Sequence, residues 1–190
     1  MEKKPYIVGI AGGTCSGKST LTDELAETLG AAYKVTVLNL DTFYKFAAMR
    51  TVAPITRVEY PEHNHPAAVD MDKLQAAFSA AIAEEGNDVV LAEGIFALHF
   101  DHIREQFDLK VFVDLKSDER MYRRIKRMMN DNTTMDDVAV RYLDTVRYRH
   151  DEFVEPTRWH ADLVVNGNLD KNLGAGIIAA HIAAQIDKEI

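Results

Sequence analysis

The chain alternates between two periodicities. Apolar, β-rich runs recur at Tyr6 to Ala11, Val35 to Leu40, Val89 to Ala92, Leu109 to Val113 and Leu163 to Val165, and the segments between them carry helical spacing. Strands buried on both faces read as continuous apolar runs, and strands separated by helices build parallel sheets. The pattern predicts an α/β fold, a five-stranded parallel sheet with helices on both faces. Leu21, Leu25 and Leu29 mark the core stripe of the first helix, with Gly30 as its C-cap. Asp70 is placed to N-cap a helix that Gly86 ends, and Thr134 to Asp137 has capping-box spacing that should open a long helix toward Phe153, closed by Pro156. The last helix starts near Asp170 and carries Ile177, Ile178, His181, Ile182 and Ile186. From Lys45 to Val69 no periodicity is visible, and Pro54, Pro61 and Pro66 oppose helix. Ordinary connections run to about 4–6 residues, so a stretch this long reads as functional.

A length of 190 residues suits one domain spanning 1–190, with the helical region around 120–150 as a lid. A hydrophobic share of 47% and a charged share of 27% are those of a soluble globular chain, and no apolar run reaches the roughly 18 residues of a membrane span. Lys3 and Lys4 precede an apolar stretch that is too short for a signal peptide and reads as a first strand. The net charge of −8 opposes general binding to nucleic acid or to a membrane surface, so any phosphate site must be local. Cys15 is the single cysteine, which excludes an intramolecular disulfide and a thiolate zinc cage and points to the cytoplasm. The seven histidines include no helical His-x-x-x-His pair, and His63 and His65 read as loop residues.

Gly12-Gly13-Thr14-Cys15-Ser16-Gly17-Lys18-Ser19 completes the phosphate-loop pattern G-x-x-x-x-G-K-[ST], between a strand and a helix as that pattern demands, with Thr20 in the first turn that follows. Its backbone N–H groups form an anion nest, Lys18 reaches the outer phosphates, and Ser19 offers a hydroxyl to magnesium. Such a loop implies a P-loop NTPase fold using ATP and Mg2+. Asp41 and Glu93 follow the second and third strands, at the sheet edge where α/β proteins hold ligands. Asp41, beside Thr42-Phe43-Tyr44, reads as an acceptor-side acid or as a turn cap, and Glu93 as a magnesium ligand acting partly through water. Arg120, Arg123, Arg124 and Arg127 fall on one helix face, with Met121, Ile125, Met128 and Met129 on the other. Four adjacent guanidinium groups suit a phosphate clamp, or a solvated face paired with Asp118 and Glu119.

In this order the motifs resemble the uridine kinase family of P-loop kinases, related to phosphoribulokinase. The likeness includes the phosphate loop, Asp41-Thr42-Phe43-Tyr44-Lys45, His65-Pro66 leading to Asp70, and Ala92-Glu93-Gly94-Ile95-Phe96. It continues through Phe112-Val113-Asp114, Asp118-Glu119-Arg120, Arg123-Arg124, Phe153-Val154-Glu155-Pro156-Thr157 and Ala161-Asp162. The resemblance implies that Asp41 takes the proton of an acceptor 5′-hydroxyl and that Glu93 and Ser19 position magnesium. It places Tyr44, Asn64, His65 and Arg124 at the acceptor and Arg127 near the ATP phosphates, with uridine or cytidine favoured as acceptor.

Three features depart from the family. Asn64 stands where an Asp usually precedes the His-Pro pair, and Asn130-Asp131-Asn132-Thr133-Thr134 replaces an Arg-Gly-Arg lid turn, leaving Arg124, Arg127 or Arg141 to meet transition-state charge. The extended segment that carries a base-reading Tyr and His is reduced to Asn87-Asp88. A kinase for another ribosyl or sugar-like alcohol is therefore a second reading, and a P-loop regulatory ATPase is a third. A guanine-reading Asn-Lys-x-Asp motif is absent. The small-molecule acceptor is the expected partner, and the sequence leaves room for a homo-oligomer.

Overall fold

The computed structural model describes residues 4–45, 49–168 and 171–189, and for residues 171, 172 and 189 the backbone alone. In chain order the elements are β1 (Tyr6–Gly12), α1 (Lys18–Gly30), β2 (Val35–Asn39), β3 (Arg50–Val52), β4 (Glu59–Pro61), α2 (Met71–Ala83) and β5 (Val89–Glu93). They continue with α3 (Asp101–Arg104), β6 (Leu109–Asp114), α4 (Ser117–Met128), α5 (Met135–Arg141), α6 (Arg147–Arg149), β7 (Leu163–Asn166) and α7 (Lys171–Ile186). Strands β2-β5-β1-β6-β7 form one parallel sheet in that order. All five predicted strands are present, each within a residue or so of its expected end.

Both faces of the sheet are covered. On one face Val8, Ile10, Leu91 and Val111 meet Leu21, Leu25 and Leu29 of α1 and Ile178, Ile182 and Ile186 of α7. On the other, Ile7, Val90 and Phe112 meet Leu74 and Phe78 of α2 and the segment from Ile95 to Phe107. Adjacent residues of one strand thus enter different cores, which is why these strands are apolar without alternation. Ile177 lies 61% exposed and His181 is exposed too, so the inward stripe of α7 is narrower than the sequence suggests. The expected start of that helix at Asp170 lies outside the described residues.

Two helix ends differ from expectation. Gly30 is the last residue of α1, but the turn closes through right-handed Ala31, with the amides of Ala32 and Tyr33 donating to Leu29 O, so no left-handed glycine is used. Gly86 does take a positive φ, of 71°, yet α2 has already ended at Ala83. Asp70 caps α2 as expected, accepting from Lys73 N, and Thr134 and Asp137 form the capping box of α5. The helix opened there runs on through π-helical turns at Tyr142–Val146 and His150–Val154, on either side of α6. It ends in a 3-10 turn, Glu155–His160, that begins with Pro156 at its second residue.

The stretch from Lys45 to Val69 is not an unstructured loop. Part of it, 46–48, lies outside the described residues, but β3 and β4 pair antiparallel, with Thr51 opposite Tyr60. Pro61 closes β4 at an edge, a position that needs no ladder donor. The hairpin rests against the helix that Thr134 opens: Thr56 Oγ1 and the Tyr60 hydroxyl donate to Asp144 Oδ2 at 2.7 and 2.8 Å, and Arg149 Nε donates to buried Glu62 at 3.0 Å. No helix among the described residues is long and apolar enough to cross a membrane.

Candidate active site

The sheet order sets the site. Because β5 lies between β2 and β1, the chain leaving β2 and the loop leaving β1 both arrive beside the end of β5, where Asn39 and Ile10 flank Glu93 in register. Parallel strands all end at this edge, so Gly12, Asn39, Glu93 and Asp114 open onto one crevice.

Residues Gly12 to Ser19 wrap the start of α1 as the pattern requires. Gly12 has φ 148° and Gly17, the N-cap of α1, has φ 107°, conformations that a side chain would strain. A Cβ on Gly12 would also overlap Val113 O. Cys15 takes a left-handed φ of 58° inside the loop and is the nearest approach to strain in it. Lys18 is buried, 6% exposed, with Nζ donating to Gly13 O at 3.3 Å. A cleft of about 290 Å³ beside the loop is lined by Cys15, Gly17, Lys18, Ser19, Thr20, Arg123 and Arg127.

Ser19 and Glu93, distant in sequence, meet here: Ser19 Oγ donates to Glu93 Oε1 at 3.2 Å. Glu93 is buried, and its Oε2 has no protein partner. Burial pushes the Glu93 carboxyl up, with Lys18 opposing and Asp41 adding to the rise. An orphaned carboxylate oxygen beside a serine hydroxyl fits a hard cation that keeps several waters, as magnesium does. Among the described residues no three acidic, His or Cys groups converge.

Asp41 lies on the turn that follows Glu93 in space. Its Oδ1 accepts from Ile95 N at 3.0 Å and from the Tyr44 hydroxyl at 3.4 Å. The capping role in its own turn belongs to Asn39, whose side chain accepts from Asp41 N, so Asp41 is not the cap. Burial, followed by the Asp41 charge, raises the Tyr44 hydroxyl far above its usual range. Asn64 faces the phosphate loop across a small niche that Thr14, Ile95, Val146, His150 and Val154 also line. His65 is committed elsewhere: Nδ1 accepts from Ala67 N at 3.0 Å, and the ring stands edge-on to Phe153 at 4.5 Å. It caps a 3-10 turn.

In α4 both stripes are split between core and solvent: Ile125 is buried and Arg127 exposed, but other members run the opposite way. Arg120 and Arg124 are buried at 3% and 9% exposure, while Met128 and Met129 of the supposed apolar face are 38% and 49% exposed. Arg120 lies directly under the phosphate loop, where a Cβ on Gly13 would overlap its Nη1, and its Nε and Nη1 are buried without partners. Arg124 Nη1 donates to Thr14 Oγ1 at 2.8 Å. Burial, opposed by the Cys15 sulfur and assisted by Arg127 and Arg141, holds Arg124 below its usual value. Arg123 turns to Gly167 O at 3.2 Å. Arginine ion pairs in the described residues use Arg50, Arg104, Arg149 and Arg158, so none of the helix arginines is paired with Asp118 or Glu119 there.

Two site-lining residues lie outside the sequence motifs. Tyr60 enters through the hairpin, whose three-residue strands are too short to show alternation. His150 enters through a π-helical turn, which shifts the inward stripe off helical spacing. It meets Glu155 Oε2 at 3.1 Å through Nε2, while Nδ1 is buried and unpaired. Burial, then the Arg120 and Lys18 charges, lower its pKa to about 3 despite Glu155, so the ring is neutral.

A phosphate loop, the acids Asp41 and Glu93 at the ends of β2 and β5, and a helix whose arginines reach the loop define a P-loop phosphotransferase that acts on an alcohol group. The model of the Phosphoribulokinase / Uridine kinase family matches residues 77–173, and the chain belongs to that family. It is 30% identical over 205 residues to the uridine kinase of Lactococcus lactis, covering 96% of this chain and 98% of that protein. It is 31% identical over 206 residues to the uridine kinase of Staphylococcus epidermidis, with the same coverage of 96% and 98%. Among solved structures, a possible uridine kinase from Bacillus stearothermophilus has a TM-score of 0.56 at 19% identity, covering 87% of this chain and 90% of that one. A shikimate kinase from Acinetobacter baumannii has the same TM-score, 0.56, at 18% identity over 97% and 96%. These two share the fold.

Proposed function

We propose that the protein transfers the γ-phosphoryl group of ATP, with Mg2+, to a hydroxyl of a nucleoside or a related ribosyl alcohol. The observation that carries this reading is that Ser19 from the loop bonds Glu93 while Asp41, on the turn after β2, lies near enough for its charge to act on the same carboxyl. In it the phosphate cradle, a partial metal shell and a carboxylate facing the acceptor side share one crevice. Ser19 Oγ and Glu93 would hold magnesium, which draws charge off the phosphate oxygens when bound. Loop amides and Lys18 hold the donor phosphates, and Arg127 reaches them from the lid side of the same cleft. Asp41 accepts the proton of the attacking hydroxyl, kept in place by Ile95 N and Tyr44. As the new oxygen–phosphorus bond forms, the bond to the ADP oxygen breaks, with Arg124 near the transferred group. Asn64 and Tyr44 border the acceptor side.

The relatives named as uridine kinases favour a pyrimidine nucleoside and its 5′-hydroxyl. One observation favours the second reading, a sugar-like alcohol. Where a base-reading segment would stand, the chain turns tightly from Glu84 to Asp88, and Asn87 closes the turn by donating to Ala81 O at 2.9 Å. Rejection of a wrong base by factors near 10⁴ needs buried hydrogen-bonding groups that the wrong base leaves unpaired. The test is ATP consumption, in the presence of Mg2+, across a panel of nucleosides and sugar alcohols. Acceptor-dependent ADP release supports the proposal, while an equal rate without acceptor identifies a regulatory ATPase instead.

A further inference from the structure

Residues 62–65 run between Pro61, which ends β4, and Pro66, which starts a 3-10 turn, and they belong to no helix or strand. Yet this segment brings Asn64 to the niche beside the phosphate loop. Backbone without a ladder depends on side-chain bonds for its position, and Glu62 supplies one. Glu62 Oε1 accepts from Asn64 N at 2.7 Å, and Glu62 N donates to Met49 O at 3.0 Å, just before β3. The second oxygen, Oε2, accepts from Arg149 Nε at 3.0 Å. Arg149 in turn uses its other two nitrogens: Nη1 donates to Glu152 Oε2 at 2.8 Å and Nη2 to Thr51 Oγ1 at 3.2 Å. One guanidinium therefore ties together β3, the turn before Asn64 and the helix that Thr134 opens. It also stands 5.8 Å from the centre of the Phe153 ring, which the His65 ring meets edge-on at 4.5 Å. His150, the next residue, lines the niche with Asn64, whereas Glu62 and Arg149 do not. Glu62 is 3% exposed, so it can act on the niche only through its neighbours.

We propose that Glu62, held by Arg149, is a positioning residue for the acceptor: by bonding the Asn64 amide it fixes the Asn64 side chain toward the phosphate loop, where that side chain meets a hydroxyl of the acceptor. A buried ion pair seldom adds stability over apolar side chains of the same volume, but it admits one arrangement, because any shift leaves a charge unpaired. Such precision matters to a reaction, since a misplacement of about 1 Å can cost about 10²-fold in rate. The inference rests on the kinase reading above, in which Asn64 borders the acceptor side. It adds a residue that lines neither the niche nor the nucleotide cleft.

In Glu62→Gln a single oxygen remains for two donors, so the bond from Asn64 N or the bond from Arg149 is lost. Crystal structures of wild type and this variant should superpose on β1, β5 and the phosphate loop and differ in the Asn64 side chain. Kinetics follow with Mg2+, ATP and uridine, or the panel alcohol turned over in its place. There kcat/KM for the alcohol should fall about 10- to 100-fold in Glu62→Gln while KM for ATP is kept. Added to Asn64→Ala, Glu62→Gln should cost nothing further, because it acts through that residue, whereas a merely structural role gives losses that add. Arg149→Lys keeps the charge pair and should retain more of kcat/KM than Arg149→Met, which leaves Glu62 buried without its partner. The inference is overturned by an unmoved Asn64, by additive losses in the double variant, or by a loss confined to KM for ATP. Absence of turnover with every alcohol of the panel would remove the kinase reading and this role with it. A displaced Asn64 in the variant crystals would then show that the pair itself still holds its segment, which tells the two failures apart.

Discussion

Beneath the phosphate loop, Arg120, Ser16 and Glu93 are buried with side-chain atoms that bond to nothing in the protein. Along the seam between the hairpin and the helix that Thr134 opens, Glu62 and Asp144 are equally hidden, yet Glu62 accepts from Asn64 N and Arg149 Nε and Asp144 accepts from Thr56 and Tyr60. Of the eight buried side-chain atoms without partners among the described residues, five belong to Ser16, Glu93, Arg120 and His150, all at or under the loop. Folding alone gives no reason for this asymmetry, since an unpaired buried charge costs several kcal/mol and a paired one much less. The seam is completed by the chain itself and holds the hairpin. The loop floor is completed by what binds there.

That contrast can be broken from either side. Lys18→Ala should abolish phosphoryl transfer, because no other lysine lines the cleft, while the melting temperature hardly changes, since Nζ makes one long bond to Gly13 O. Steady-state kinetics and a thermal melt on the same sample check both halves, and near-normal turnover would contradict the role of the loop. Asp41→Asn keeps the bonds from Ile95 and Tyr44 but removes the proton acceptor. It should lower kcat by about 10² to 10⁴ with KM for ATP kept, and an unchanged kcat would make Asp41 structural.

At the seam the sign reverses. Glu62→Gln should cost about 1 to 3 kcal/mol of stability, read by urea unfolding, because Arg149 loses its buried partner but keeps Glu152. Binding of a non-hydrolysable ATP analogue should stay at the wild-type level, and a loss confined to that binding would place Glu62 in the wrong region. His150 sharpens the loop side through pH. Its folded pKa, about 3, lies below the ordinary 6.5, so the native state holds the neutral ring. Its contribution is present above pH 6.5 and is lost as pH falls toward 3, by about 1.4 kcal/mol per pH unit. His150→Gln should unfold with a flatter pH dependence between pH 7 and 5 than wild type, and parallel curves would show a solvated, ordinary imidazole.

The sheet, the phosphate loop and the acids after β2 and β5 were legible because each depends on local signals: apolar runs, glycine spacing and a single residue past a strand. The seam was not. Thr51 and Tyr60 sit in strands of three residues, and their partners on the helix that Thr134 opens are 80 or more residues away. The arginine stripe has the predicted spacing, but burial cuts across it: Arg120 and Arg124 are buried along with Ile125 while Arg127 is exposed, a division that depends on tertiary contact with Gly13 and Thr14. His65 was visible as a polar residue beside Pro66, yet its caps and ring contacts depend on Ala67 and Phe153. The π-helical turns that bring His150 inward have no sequence signal that periodicity can detect.

The claim that the floor of the loop is held incomplete for an anionic ligand is tested most directly by Arg120→Met, melted with and without Mg2+ and a non-hydrolysable ATP analogue. Arg120 is 3% exposed, with two guanidinium nitrogens unpaired. Exchanging such a charge for an apolar chain of similar length should stabilise the bare protein by about 1 to 4 kcal/mol, a rise of about 2–4 °C for each kcal/mol. The same variant should gain less from the nucleotide analogue than wild type does, because the phosphates no longer meet the buried charge. A variant that melts lower than wild type when bare, and gains as much from the analogue, would contradict the account.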